Sequence, residues 1–164
     1  MKRFASLLLV LAVSISAAAA QTTILMVRHA EKGEATSTNP AANDPDLSDA
    51  GRARAESLAK MLKDAGITAI YATEFKRTQQ TAEPLVKILG IKLAIVPAKD
   101  TATLSAKLRD LHGNALVVGH GNTIPDLIKA LGVETPVNIA ETDYDNLFVV
   151  VLDEKPRLLQ LHYR

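Results

Sequence analysis

Hydrophobic and polar positions alternate between two patterns along this chain, and the order of those patterns sets out the elements. Short apolar runs rich in β-branched residues fall at TILMV (23–27), ITAIYA (67–72), IKLAIVP (91–97) and ALVVGH (115–120). Each is bounded by polar or turn-forming residues, as strands buried on both faces are. Between them lie longer stretches with helical spacing. LSDAGRARAESLAKMLKDAG puts Ala55, Leu58, Ala59 and Leu62 on one face, with Ser48 placed to cap its start and Gly66 to stop it. FKRTQQTAEPLVKILG predicts a helix closed by Gly90 and bent near Pro84, where a backbone donor is missing. Thr101 is placed to cap TATLSAKLRDLHG, and NTIPDLIKALG has Pro125 near its start and Gly132 at its end. NLFVVVL and RLLQLHY, joined by DEKP, read as a terminal pair of strands. The polar stretch GEATSTNPAANDPD, with prolines at 40 and 45, reads as a surface loop.

Strands that alternate with helices predict an α/β fold: a three-layer α/β/α sandwich around a mostly parallel central sheet. No internal repeat or interdomain linker interrupts the order, so residues 21–164 form one domain. Residues 1–20 follow a different logic. Lys2 and Arg3 precede a mainly apolar run from Phe4 to Ile15, and Ala18, Ala19 and Ala20 offer small residues for cleavage. This is the pattern of a secretory signal peptide, cut after Ala20, and it implies a periplasmic or secreted protein. Its apolar run is short of the roughly 20 residues that span a bilayer, so no membrane span is expected after cleavage.

Charge and composition narrow the partners. The whole chain carries a formal net charge of +1, and losing Lys2 and Arg3 leaves 17 basic against 18 acidic side chains, a net −1. Nothing in that balance marks a nucleic-acid footprint. With no cysteine among the 164 residues, disulfides, thiolate metal sites and a lipid-bearing cysteine are excluded.

The strand order carries the chemistry. In open parallel sheets ligands gather beyond the carboxyl ends of the strands. Arg28 and His29 end the first strand, His120 ends the fourth, and Arg77 lies a few residues past the second. Two guanidinium groups and two imidazoles from separate segments therefore converge at one edge. Guanidinium offers paired planar hydrogen bonds and helix N-termini add free amides, which suits a dianionic oxyanion such as phosphate. One histidine can attack phosphorus when its attacking nitrogen is unprotonated, while the other helps to hold the equatorial oxygens.

VRHAE, the KRTQQTAEP run and VVGHGN, in that order, resemble the three motifs of the histidine phosphatase superfamily, also called phosphoglycerate mutase-like. The resemblance covers essentially the whole chain after residue 20. Its usual Arg-His-Gly is here Arg28-His29-Ala30, which keeps a small third residue. It implies His29 as the nucleophile that becomes a phosphohistidine, with Arg28, Arg77 and His120 clamping the phosphoryl group and no metal or other cofactor required. It also implies a carboxylic acid to protonate the leaving oxygen. Asp100, in VPAKD, is the nearest match, with Glu74 and Glu31 as alternatives. Lys32 and Asn122 are further candidates for contact with phosphate.

The expected reaction is hydrolysis of a phosphomonoester, on a small molecule or a phosphoprotein, through phosphohistidine. Phosphoryl transfer, as in a mutase, and non-catalytic binding of a phosphorylated ligand are the competing functions. Mutases of this superfamily carry a sizeable insertion after the second-arginine helix, whereas Gly90 here leads directly into IKLAIVP. A metal site built from His29, Glu31, His120 and Asp126 lacks a tight spacing motif and faces two arginines that repel a cation. His112 and His162 are assigned no role. The loop from Gly33 to Asp46 and the stretch YDNLF are expected to shape the entrance to the site.

Overall fold

The computed structural model describes residues 21–34 and 44–163. The expected signal peptide lies outside the described residues, as does much of the loop assigned to the entrance. The strands are β1 (Thr22–Arg28), β2 (Ile67–Ala72), β3 (Leu93–Ile95), β4 (Asn114–Gly119), β5 (Asn146–Leu152) and β6 (Arg157–His162). The helices are α1 (Asp49–Leu62), α2 (Lys76–Leu89), α3 (Thr101–Arg109) and α4 (Thr123–Ala130). One six-stranded sheet runs β3-β2-β4-β1-β5-β6. β1, β2, β3 and β4 are parallel, and β5 pairs antiparallel with both β1 and β6, so the sheet is mostly parallel, as the alternation predicts.

Strand alternation divides the core into two layers. Ile24 and Met26 of β1 pack with Val117, Phe148, Leu108, Ile124, Leu127 and Ile128 on the side of α3 and α4. Leu25 and Val27 point the other way, into Leu58, Leu62, Ala82, Leu85, Leu116 and Val118 beneath α1 and α2. Successive strand residues serve opposite faces, which is why ILMV has no polar position to spare. The described residues thus form the three-layer sandwich.

The helix signals translate unevenly. Ser48 caps α1 by accepting from Gly51 N, and Ala55, Leu58, Ala59 and Leu62 are its buried face. Gly90, at φ 65°, ends α2 in the left-handed conformation that favours glycine. α2 continues through Pro84 as one element. Asp100 rather than Thr101 is the cap of α3, its side chain accepting from Thr103 N. Aspartate is the stronger capping acceptor, and it takes that position in preference to the threonine. α3 also stops at Arg109, short of the expected Gly113. β3 keeps only the middle of IKLAIVP, because it is an edge strand paired on one side to β2.

Candidate active site

Register brings the two histidines together. Arg28 lies opposite Gly119 in the β1–β4 ladder, and the next step is a hydrogen bond from His29 N to Gly119 O at 2.9 Å. The two rings, leaving adjacent parallel strands at the same end, have centroids 5.4 Å apart. Gly119 has no room for a side chain, since a Cβ there would lie 2.8 Å from both Thr123 Oγ1 and Ile124 Cδ1. That close approach lets α4 fold directly onto the end of β4, where Thr123 Oγ1 accepts from His120 N at 2.8 Å.

His29 is held in one protonation pattern. Its Nδ1 lies 2.8 Å from the Ala30 carbonyl oxygen. A carbonyl only accepts, so Nδ1 carries the hydrogen and the neutral ring has its lone pair on Nε2. Burial pushes the His29 pKa down to about 4; the Ala30 bond opposes this, and the positive charges of Arg77 and Arg28, with that of His120 whenever its ring is protonated, lower it further. His29 is therefore neutral at neutral pH, with an unprotonated nitrogen available for attack.

Both arginines rest on aromatic rings. The Arg28 guanidinium lies 4.4 Å from the centroid of Tyr144 and donates from Nη1 to the carbonyls of Ala140 and Glu141, at 2.7 and 2.8 Å. Its Nε is buried and has no partner among the described residues. Arg77 lies 4.4 Å from the centroid of Phe75, and its Nη1 is 3.4 Å from Asp44 Oδ1. Asp44 also accepts from Lys76 N at 3.0 Å, which ties the loop before α1 to the start of α2. Burial lowers the Arg77 pKa, and the negative charge of Asp44 opposes that shift. Phe75 meets the His120 ring edge-on, at 5.2 Å between centroids. Stacking of this kind fixes a guanidinium plane without consuming its hydrogen-bond donors.

Arg28, His29, Arg77, His120 and Asn122 line one open cleft of about 780 Å³ at the carboxyl end of the sheet. The structure thus brings together the four residues of the expected clamp, with Asn122 beside them at the start of α4. It leaves other candidates outside that lining. Lys32 is exposed and forms an isolated bridge with Leu47. Asp100 is engaged as the α3 cap and borders a separate small apolar cavity. Glu74 Oε2 accepts from Ala98 N at 2.7 Å. Glu31 is gripped by Arg54, with Arg54 Nη2 2.7 Å from Oε1. Burial raises the Glu31 pKa, but the hydrogen bonds and charge of Arg54 outweigh it and the net shift is downward. The carboxylates that do line the cleft are Asp126 and Glu141.

Sequence reasoning missed Thr73 and Phe75, and it reached Asp44 and Tyr144 only as members of the two segments expected to shape the entrance, not as partners of Arg77 and Arg28. Phe75 carried a signal, an aromatic residue two positions before Arg77 in an otherwise polar run. Asp44 carried none, because its partner is 33 positions away in the chain. Among the described residues, no group of three or more His, Cys, Asp or Glu side chains is placed to hold a metal ion.

Residues 24–100 match the family model described as "histidine phosphatase superfamily (branch 1)". Over 117 residues the chain is 31% identical to an 8-oxo-(d)GTP phosphatase of Mycolicibacterium smegmatis, a match covering 65% of this chain. That match spans 36% of the length of the mycobacterial protein. Among solved structures, the protein histidine phosphatase SixA complexed with tungstate superposes with a TM-score of 0.69 at 22% identity, covering 85% of this chain and 96% of that one. A mycobacterial glucosyl-3-phosphoglycerate phosphatase superposes with a TM-score of 0.64 at 14% identity, over 86% of this chain and 97% of that one. Residues 24–100 are thus similar to the histidine phosphatase superfamily, and the described residues share the fold of these solved phosphatases.

Proposed function

We propose that the protein is a phosphatase that hydrolyses a phosphomonoester, on a small molecule or a phosphoprotein, through a phosphohistidine on His29. The observation that carries this reading is the pairing of a neutral His29, its Nδ1–H tied to the Ala30 carbonyl, with Arg28, Arg77 and His120 around the same cleft. In the first half-reaction Nε2 attacks phosphorus and the ester P–O bond breaks, the alcohol leaving with a proton taken from the water of the open cleft, while the arginines meet the charge on the equatorial oxygens. In the second, water displaces the phosphoryl group from the ring and inorganic phosphate leaves. The family match over residues 24–100 supports the same chemistry, as do the phosphatase names of the mycobacterial relative and the structural neighbours.

The cleft is open, and β3 leads by a short turn into α3 with no inserted lid between them. Water reaches such a site freely, which favours hydrolysis over transfer to a second acceptor. The test is mass balance on an aryl phosphate with wild type and His29→Ala. Inorganic phosphate should equal substrate lost, and the variant should fall to background. Turnover by His29→Ala at the parental rate would refute the mechanism, and a deficit of phosphate would point to transfer. The reading also includes export: residues 1–20 have the charge and apolar pattern of a signal peptide. Mature protein beginning at Gln21 in the periplasm or medium is the expected result of fractionation and N-terminal sequencing, and full-length protein in the cytoplasm would overturn it.

A further inference from the structure

The hydrogen bonds behind His120 form a chain whose direction can be counted. Thr78 Oγ1 lies 2.7 Å from the Phe75 carbonyl oxygen and 3.2 Å from that of Thr73. Neither carbonyl can donate, so the single hydroxyl hydrogen of Thr78 goes to the backbone. Thr73 Oγ1 lies 2.9 Å from Thr78 Oγ1 and must supply the hydrogen for that contact. Its own hydrogen is then committed, and Thr73 Oγ1 faces His120 Nε2, 3.0 Å away, as an acceptor. The Phe75 N–H, at 3.4 Å, donates to the same oxygen, which fits that role. Both threonines are buried, so water does not substitute for either link. His120 therefore carries its hydrogen on Nε2, and the neutral ring has its lone pair on Nδ1.

That lone pair opens toward the cleft. His120 lines the cleft, and Nδ1 has no hydrogen-bond partner among the described residues. Among the described residues, the buried side-chain atoms without a partner are Arg28 Nε and Tyr163 OH, so Nδ1 is not sealed within them. Burial, then the charges of Arg77 and Arg28, push the His120 pKa down to about 4, while Asp44 opposes them. The empty cleft thus presents two neutral imidazoles, each with a lone pair. The lone pair of His29 is the nucleophile. That of His120 meets an anionic oxygen with repulsion unless a proton lies between them.

We propose that Thr73 and Thr78 set the tautomer of His120 so that an oxyanion enters the cleft together with one proton, which is held at His120 Nδ1. This rests on the reading of the cleft as a phosphate site. The groups facing the ring account for the coupling. Arg28 and Arg77 oppose protonation while the cleft is empty, and an entering dianion offsets both of their charges. His29 is neutral, Asp44 is paired to Arg77, and Asp126 and Glu141 on the cleft wall favour the cation. The balance of the step is one protein, one dianion and one proton from solvent giving one complex. Thr73 and Thr78 are positioning residues: they act through His120 and touch no substrate.

Tungstate is a suitable probe, since it is fully deprotonated at neutral pH and brings no proton of its own. Calorimetric titration with tungstate at pH 7, in buffers of differing ionisation heat, should show uptake of about one proton per anion bound, and affinity should weaken about tenfold per pH unit. Thr73→Val removes the acceptor at Nε2, and Thr78→Val frees the Thr73 hydroxyl to donate there. In both variants His120 can carry its hydrogen on Nδ1 and donate to the anion directly, so proton uptake should fall toward zero, while Thr73→Ser should retain it. Nitrogen-15 spectra of the imidazoles provide a readout that a merely structural role would not move: protonated Nε2 on His120 in the parent and in Thr73→Ser, protonated Nδ1 in the two valine variants. Tungstate binding without proton uptake, or a parental His120 protonated on Nδ1, overturns the proposal and leaves the phosphatase reading intact. Failure to bind tungstate at all overturns both.

Discussion

Replacing Gly51 with alanine sets two effects of opposite sign against each other. Gly51 is the third residue of α1, and on helix propensity alone alanine there would stabilise the protein by up to about 1 kcal/mol. The packing says otherwise. A Cβ at position 51 would lie 2.1 Å from the Glu31 carbonyl oxygen, 3.0 Å from its carbonyl carbon and 3.1 Å from its nitrogen. These are backbone atoms, and the same carbonyl already accepts from Ser48 N at 2.9 Å. Relieving the contact requires a shift of about 1 Å between α1 and the segment that follows His29, and overpacking of that kind costs roughly 1–3 kcal/mol. The displaced Ala30–Glu31 peptide contains the carbonyl that orients His29, so the nucleophile moves with it. A misplacement of about 1 Å can cost on the order of 100-fold in rate. Urea denaturation of Gly51→Ala should show a net loss of stability, and kcat toward an aryl phosphate should fall by tenfold or more. A variant as stable as the parent with unchanged kcat would refute the claim that α1 positions the histidine through this contact.

Three further perturbations follow from the same geometry. Burial holds His29 and His120 near 4, below their unfolded value of 6.5, so between those values the unfolded chain binds more protons and stability falls as pH is lowered. Unfolding free energies from urea titrations should drop from pH 7 to pH 5 by on the order of 2 kcal/mol for each histidine, and His29→Asn with His120→Asn should lose most of that slope; an unchanged slope would contradict it. Asp100→Asn keeps an equivalent cap on α3, so kcat on an alkyl phosphate should stay within about threefold of the parent, whereas loss of a general acid would cost roughly 10²–10⁴-fold. Tyr144→Leu removes the ring beneath Arg28 and should raise KM by about two- to thirtyfold, while Tyr144→Phe should remain close to the parent.

Much of this site was legible because the chemistry sits at strand ends, and strand ends are marked by abrupt changes of polarity. ILMV running into Arg28-His29, and LVVG running into His120, are visible without coordinates, and the parallel-sheet rule then places both at one edge. Ser48 and Gly90 were equally readable, since a cap or a left-handed stop acts over a few residues. Contacts between distant segments were not. Nothing local tells that Asp44 pairs with Arg77, that Arg54 occupies Glu31, or that Tyr144 stacks on Arg28. Those pairings also decide which carboxylates line the cleft, and for that reason the proton donor was the least readable part of the site. Strand length misled for a related reason: IKLAIVP has the composition of a full strand, but with a neighbour on one side only Leu93–Ile95 completes the ladder.

The central claim is that His29 carries the phosphoryl group between the two half-reactions. Its most direct test is a rapid alkaline quench of enzyme turning over an aryl phosphate, followed by peptide mapping under conditions that preserve phosphoramidates. The account predicts phosphate bound through nitrogen on the peptide containing Arg28-His29-Ala30, absent in His29→Ala and chased by further incubation with water alone. Phosphate on another residue, or full turnover with no phosphoenzyme under a quench faster than the turnover time, would contradict it.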